Sequence, residues 1–480
     1  MLTAELYPYA KTGGLADAVR ALSDALYEMG HDLRVMIPEY TIGSDRNRLS
    51  EGSVSLGFSR QPYSAQKLSI GTSFPLIAIS APSYFQRQGI YSDELQSEFS
   101  DNAGRFSLFY RASLDVCQTL DWRPDIIHCH DWHAAPAMAY RRSCFGGPPN
   151  PAQAGILTIH NFGYRGFFSI HDIHYTGLEI PDMAPTAVTP TAVTPDTLSF
   201  LLCGLRNAER ITTVSPSYAN EIVGAPGDTF AEVLGARRDP VVGILNGIDY
   251  SVWNPKSDPF LHATYSNDNL AGKQACKTHL QRELGLAVDS RRPLIGLIGR
   301  LASQKGIEEL LKPGHGCLET MCRTLPVQFA VLGTGEAWAE EELSRLSATY
   351  ENVSATVGFS EALAHRIEAG ADFFLMPSRY EPCGLNQMYS LAYATLPIVS
   401  RTGGLIDTVE DYEPATGDGT GFFIADQNPQ SIVEAVRHAQ AVWTDSRPHI
   451  DRMRHTAMHR RFTWEKAARS YEQVYRSSLG

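Results

Sequence analysis

Short apolar runs alternate with amphipathic stretches along the whole chain. The runs that read as strands are 126–129, 155–159, 211–214, 241–245, 294–298, 329–332, 373–376 and 397–399. Each is brief and apolar at successive positions, as strands buried on both faces of a parallel sheet are. Between them the spacing turns helical. Over 15–29, Leu15, Val19, Leu22 and Leu26 keep one face apolar, at the 3.6-residue repeat. The pattern predicts an α/β protein whose parallel sheets carry helices on both faces. A polar, turn-rich stretch at 254–268 interrupts it, and a fresh series starts near Pro293. We therefore expect one domain over 1–250 and a second over 251–460. The segment 461–480, helical over 463–477, is expected to pack back on the first domain. The pentapeptide TAVTP stands twice in tandem at 186–195, and its Thr and Pro content predicts an exposed loop.

Composition narrows the class. A 43% hydrophobic and 20% charged chain is globular. Its net charge of −12 argues against nucleic acid or an anionic membrane as partner. It favours a neutral main substrate, with any phosphate met by a few local cations. No apolar run approaches a membrane span, and the start lacks the basic-then-apolar pattern of a secretory leader. Eight cysteines without CxxC spacing predict reduced thiols and a cytoplasmic protein.

Candidate chemistry sits at the strand exits, where ligands of open α/β sheets bind. A basic residue followed by T-G-G-L occurs at Lys11–Leu15 and again at Arg401–Leu405. Paired glycines allow close backbone approach, and a helix that starts there points free N–H groups outward. Each turn beside its cation could seat an oxyanion or be only a tight strand-to-helix connection. His128, His130 and His133 alternate with Cys129, Asp131 and Trp132, but at a strand end they do not converge on one ion. They predict a polar lining, with no metal. His160-Asn161 and Asn246-Gly247 place groups suited to sugar hydroxyls at two further exits. Arg300 and Lys305 flank the phrase Leu301–Gln304, a spacing that suits a diphosphate. Glu381 precedes Pro382, which suits a first helical position, so Glu381 is expected at an N-cap with its carboxylate held as an anion. Such a carboxylate beside an anomeric carbon can stabilise an oxocarbenium-like transition state.

Taken in order, these phrases resemble the bacterial glycogen synthases and plant starch synthases. The matching set is E-x-x-P-x-x-K-T-G-G-L from Glu5, H-x-H-D-W-H from His128, T-I-H-N from Thr158, and T-V-S-P-x-Y-A-x-E-I from Thr213. It continues with N-G-I-D from Asn246, G-R-L-x-x-Q-K-G from Gly299, E-P-C-G-L-N-Q from Glu381 and T-G-G-L-x-D-T-V from Thr402. The resemblance implies a retaining glycosyltransferase of GT-B architecture, two Rossmann-like doubly wound domains around a deep cleft. It implies transfer of glucose from ADP-glucose to the non-reducing end of an α-1,4-glucan, without metal or other cofactor.

Roles follow position by position. Lys11 and the amides of Gly13 and Gly14 would contact the donor. Asp131, His160, Asn161 and Asn246 would line the sugar side. Arg300 and Lys305 would hold the diphosphate, Glu381 would be the essential carboxylate, and Cys383, Gly384 and Leu385 would add contacts beside it.

Several positions depart from the family's pattern. Only four residues precede Glu5, fewer than the family has, which predicts either a start inside the true reading frame or a short first strand. Phe99 replaces a tyrosine of Y-x-D-N, and Arg165 replaces the glutamine of Y-Q-G near the expected acceptor region. Tyr389 stands where other GT-B transferases have a ribose-gripping glutamate, which favours the glycogen synthase branch.

Overall fold

The computed structural model describes residues 1–41, 46–69, 71–93, 97–144, 153–179 and 196–479. The TAVTP repeats lie outside these residues. The chain forms two compact units, Met1–Gly247 with Trp464–Gly480, and Ile248–Thr463.

In the first unit, β1 (Val35–Pro38), β2 (Arg46–Leu56), β3 (Ser59–Leu68) and β4 (Leu76–Ser80) pair in the order β1-β4-β3-β2. A second group holds β5 (Ile126–His130), β6 (Ala154–Ile159), β9 (Arg210–Thr213) and β10 (Val242–Gly243) in the order β10-β9-β6-β5. A small antiparallel pair, β7 (Phe167–Ser169) with β8 (Thr197–Ser199), stands apart. Leu2 joins the two groups through parallel bridges to Met36 and Cys129. The expected first strand is thus one bridging residue, whose amide donates to the His128 carbonyl and whose carbonyl accepts from the His130 amide. The β2–β3 hairpin is antiparallel, unlike the parallel pattern anticipated for the whole chain. Most of its polar residues are at least partly exposed, so it shows no continuous apolar run. The run at 241–245 makes only a two-residue strand.

The second unit is a six-stranded parallel sheet of β11 (Leu294–Leu301), β12 (Gln328–Gly335), β13 (Val353–Val357), β14 (Phe373–Met376), β15 (Leu396–Ser400) and β16 (Phe422–Ile424). Its order is β13-β12-β11-β14-β15-β16, which within the unit reads 3-2-1-4-5-6, the doubly wound arrangement. Both faces are buried. Phe373 and Leu375 join one apolar cluster while Phe374 and Met376 join another. That explains why these strands read as unbroken apolar runs.

The helix Trp464–Ser478 closes the chain against the first unit. Ala467, Ala468, Tyr471 and Val474 form its buried stripe, and the Tyr475 hydroxyl lies 2.7 Å from His128 Nδ1.

Candidate active site

In the second unit the chain order reverses between β11 and β14, and the expected diphosphate cations and carboxylate leave those two neighbouring strands. Arg300, next to last in β11, is on the surface, with Nη2 3.5 Å from Gln304 Oε1. Lys305 closes the short 3₁₀ turn Ser303–Lys305. Gly306 follows with φ 73°, and a Cβ there would lie 2.0 Å from the Pro377 carbonyl. Only glycine lets the two loops approach so closely. Gln304 ties them further, donating from Nε2 to the Tyr380 carbonyl at 3.2 Å and accepting from the Arg379 amide at its own carbonyl at 2.9 Å. The result is a Lys305–Glu381 ion pair, with Ser378 Oγ donating to Glu381 Oε2 at 3.1 Å. Glu381 is 6% exposed, so these two partners stand in for water at its carboxylate.

The N-cap expectation for Glu381 does not hold. The helix starts at Asn386, because Gly384 takes φ 72°. A left-handed residue cannot sit in the first turn of a right-handed helix. The chain from Pro382 to Leu385 is instead a turn, fixed by Gln387 Nε2 donating to the carbonyls of Cys383 at 2.9 Å and Gly384 at 3.2 Å. Cys383 is buried under that turn, and the Leu385 carbonyl accepts from the Met388 and Tyr389 amides.

The second T-G-G-L phrase packs against this turn. The Gly404 amide donates to the Glu381 carbonyl at 3.0 Å. A Cβ on Gly403 would lie 2.1 Å from that carbonyl oxygen, and one on Gly404 would lie 2.2 Å from the Cys383 carbonyl. Arg401 is drawn to Asp411 at 3.0 Å and lies over the Phe423 ring.

In the first unit the other T-G-G-L phrase holds a carboxylate of the chain itself. Glu5, 3% exposed, accepts from the amides of Thr12 at 2.6 Å and Gly13 at 3.1 Å. It also accepts from the hydroxyls of Thr12 and Tyr91, each at 2.7 Å. The Gly13 amide, expected to face the donor, is therefore engaged by Glu5, and this acid escaped the reading of the turn. Its signal lay in the same phrase, as the Glu that opens E-x-x-P-x-x-K-T-G-G-L. Lys11 is likewise turned onto Asp17 at 2.7 Å.

Beside this turn lie the strand-end polar groups. Asp131 follows β5 with φ 56°, which turns its carboxylate toward the end of β6, where Oδ1 accepts from the His160 amide at 2.7 Å. Burial pushes the Asp131 carboxyl up to about 7, against backbone donation from His160 and Asn161 that pulls it down. Loss of hydration pushes the half-buried His160 imidazolium down to about 3, so the ring is neutral at physiological pH. His130 is buried and its Nδ1 lies 3.0 Å from His160 Nε2. His130 Nε2 is buried without a partner. The two rings thus share one hydrogen bond, and the neutral His160 keeps its Nδ1 for another partner.

The histidines pack ring against ring, with the His128 and His130 centroids 4.2 Å apart. His128 uses both ring nitrogens on Thr158 and Tyr475, and His133 stacks on Tyr91 at 4.6 Å. Among the described residues no group of three His, Cys, Asp or Glu could hold a metal. Asn161 accepts the Gly163 amide at 2.9 Å, and Asn246 is buried in the loop after β10. Arg165 pairs with Asp228 and lies over the rings of Phe162 and Phe230. Phe99 lies 4.9 Å below each of the Arg87 and Arg105 guanidinium groups.

The starch synthase catalytic domain family matches residues 1–235, and the group 1 glycosyl transferases match 285–448. A glycogen synthase of Treponema denticola is 42% identical over 100% of this chain and 98% of its own length. One from Nitrosospira multiformis is 38% identical over 100% and 96%. The catalytic domain of starch synthase IV from Arabidopsis thaliana, solved with ADP and acarbose, superposes with a TM-score of 0.87. It is 30% identical and covers 100% of this chain and 98% of that one. The two Rossmann-like units are thus those of a GT-B glycosyltransferase. No described helix is long and apolar enough to cross a membrane. Alike from end to end in sequence and fold, this chain belongs to the glycogen and starch synthase family.

Proposed function

We propose that this protein transfers glucose from ADP-glucose to the 4-hydroxyl at the non-reducing end of an α-1,4-glucan, with retention, in the cytoplasm and without a metal. The observation that carries this reading is the Lys305–Glu381 pair at the carboxyl ends of β11 and β14. That is the switch point where doubly wound sheets bind nucleotides. The ADP and acarbose held by the starch synthase IV neighbour support a nucleotide donor and a glucan acceptor.

Arg300 and Lys305 hold the diphosphate, and Lys305 offsets the charge on ADP as the bond from the anomeric carbon to the phosphate oxygen breaks. ADP leaves with the electron pair. The acceptor 4-oxygen bonds to that carbon, and its proton passes to the departing phosphate. Glu381 stabilises the positive charge that develops at the anomeric carbon. Asp131, His160, Asn161 and Asn246 bind sugar hydroxyls.

Release of ADP from ADP-glucose with glycogen as primer tests the proposal. Glu381→Ala should lower kcat by at least about a thousandfold, and Lys305→Ala should raise the donor KM and lower kcat together. Wild-type release no greater than that of Glu381→Ala would refute the enzyme reading. Release with UDP-glucose alone would refute the donor.

A further inference from the structure

The first unit has a pocket of about 290 Å³ between β2, β3 and the helix Asn102–Thr119. None of the residues assigned above to glucosyl transfer lines it. Its chemistry is set by Arg111, which is 8% exposed. A buried guanidinium normally has a carboxylate partner and uses most of its five donors. Here Nη1 donates to the Tyr175 carbonyl at 3.0 Å, the group lies 4.9 Å from the centre of the Tyr140 ring, and Nε has no partner. No ion pair forms at Arg111 among the described residues. The guanidinium is also held from behind. Gly177 takes φ 70°, and a Cβ there would lie 2.9 Å from Arg111 Cζ. Arg111 is therefore held in place, without an ion pair among the described residues, at the wall of an open pocket.

A second cation faces the same space. Arg60 is exposed on β3 and donates to the Ser53 hydroxyl and carbonyl at 3.0 and 2.9 Å. Asp115, one helical turn beyond Arg111, accepts from the Tyr63 hydroxyl at 2.6 Å and also lines the pocket. A bare anion fits the two arginines but gains nothing from Asp115. A sugar hydroxyl can donate to that carboxylate while an attached phosphate meets the arginines.

We propose that this pocket binds a small phosphomonoester that also carries hydroxyl groups. The phosphate sits between Arg60 and Arg111, and the hydroxyls lie toward Asp115. The pocket's size is at the lower end of small-molecule sites, which suits a single sugar phosphate better than a glucan chain.

Hydrogen exchange of the full chain, with ligand titrated at constant ionic strength, tests this. Inorganic phosphate, fructose 6-phosphate and maltotriose are the probes. Fructose 6-phosphate should slow exchange at 53–60 and 111–118 and bind about tenfold more tightly there than inorganic phosphate. Arg60→Gln removes an exposed side chain and should weaken both ligands about tenfold. Asp115→Asn should weaken fructose 6-phosphate and leave inorganic phosphate unaffected or tighter. The proposal falls if Arg60→Gln leaves the affinity at 53–60 and 111–118 unchanged. It falls also if protection appears only at 300–305 and 378–384, where the proposed donor site would report instead. Protection of the pocket by maltotriose but by neither phosphate would reassign it to neutral glucan.

Discussion

In the turn at 12–14, two backbone amides and a hydroxyl close around the Glu5 carboxylate, and a Cβ on Gly13 would meet nothing within 4 Å. In the turn at 402–404, the Gly404 amide holds a main-chain carbonyl, and a Cβ on either glycine would strike the loop that carries Glu381. Both phrases begin helices, Gly14–Glu28 and Gly403–Thr408, and both preceding cations are paired, Lys11 with Asp17 and Arg401 with Asp411. The shared letters therefore encode a strand-to-helix turn with inviting amides. What fills it differs. In the first unit it is an acid, and Gly13 leaves open space. In the second it is backbone, and the glycines are required by contact.

Three substitutions separate these two uses, in descending order of effect. Gly404→Ala should cost about 2–3 kcal/mol, in the range of overpacked interiors. It should lower ADP release at least about a hundredfold, because the Cys383 carbonyl must move and Glu381 with it. Chemical denaturation beside the release assay would check this. Near-normal stability and activity would show that the Glu381 loop is not set by the second turn. Glu5→Ala should cost about 2 kcal/mol by urea denaturation, since it strips four donors of a charged acceptor while water replaces part of it. If the first turn needs no internal anion, the loss will be within error. Gly13→Ala should change stability by less than about 1 kcal/mol, given its extended φ of −152° and the open space around it. It should leave the donor KM within about threefold, as expected for an amide already engaged by Glu5. A large KM increase would return Gly13 to direct donor contact.

Much of this protein is legible in its letters. The apolar runs at 294–298, 329–332, 373–376 and 397–399 each fall within a strand of the second sheet. Being buried on both faces, these strands announce themselves without alternation. The helix over 15–29 was equally plain from its stripe. The β2–β3 hairpin was not, because one of its faces is wet and its pattern is broken by polar residues. At the site, pairing Lys305 with Glu381 was foreseeable only as two charged groups at neighbouring strand exits. The N-cap reading failed at one residue. Pro382 invites a helix start, but Gly384 turns left-handed and delays it to Asn386.

By itself the sequence determined the alternation of strands and helices, the division into two Rossmann-like series and the places where polar motifs meet strand ends. Those features depend on neighbours a few residues apart, whose spacing fixes which side chains share a face. Only the tertiary structure decided that Glu5 fills the first turn, that Gly404 props the Glu381 loop, and that His130 pairs with His160. Each of these depends on which buried donors and acceptors are left without water. That is settled when separate strands come together and every buried polar group must find a partner.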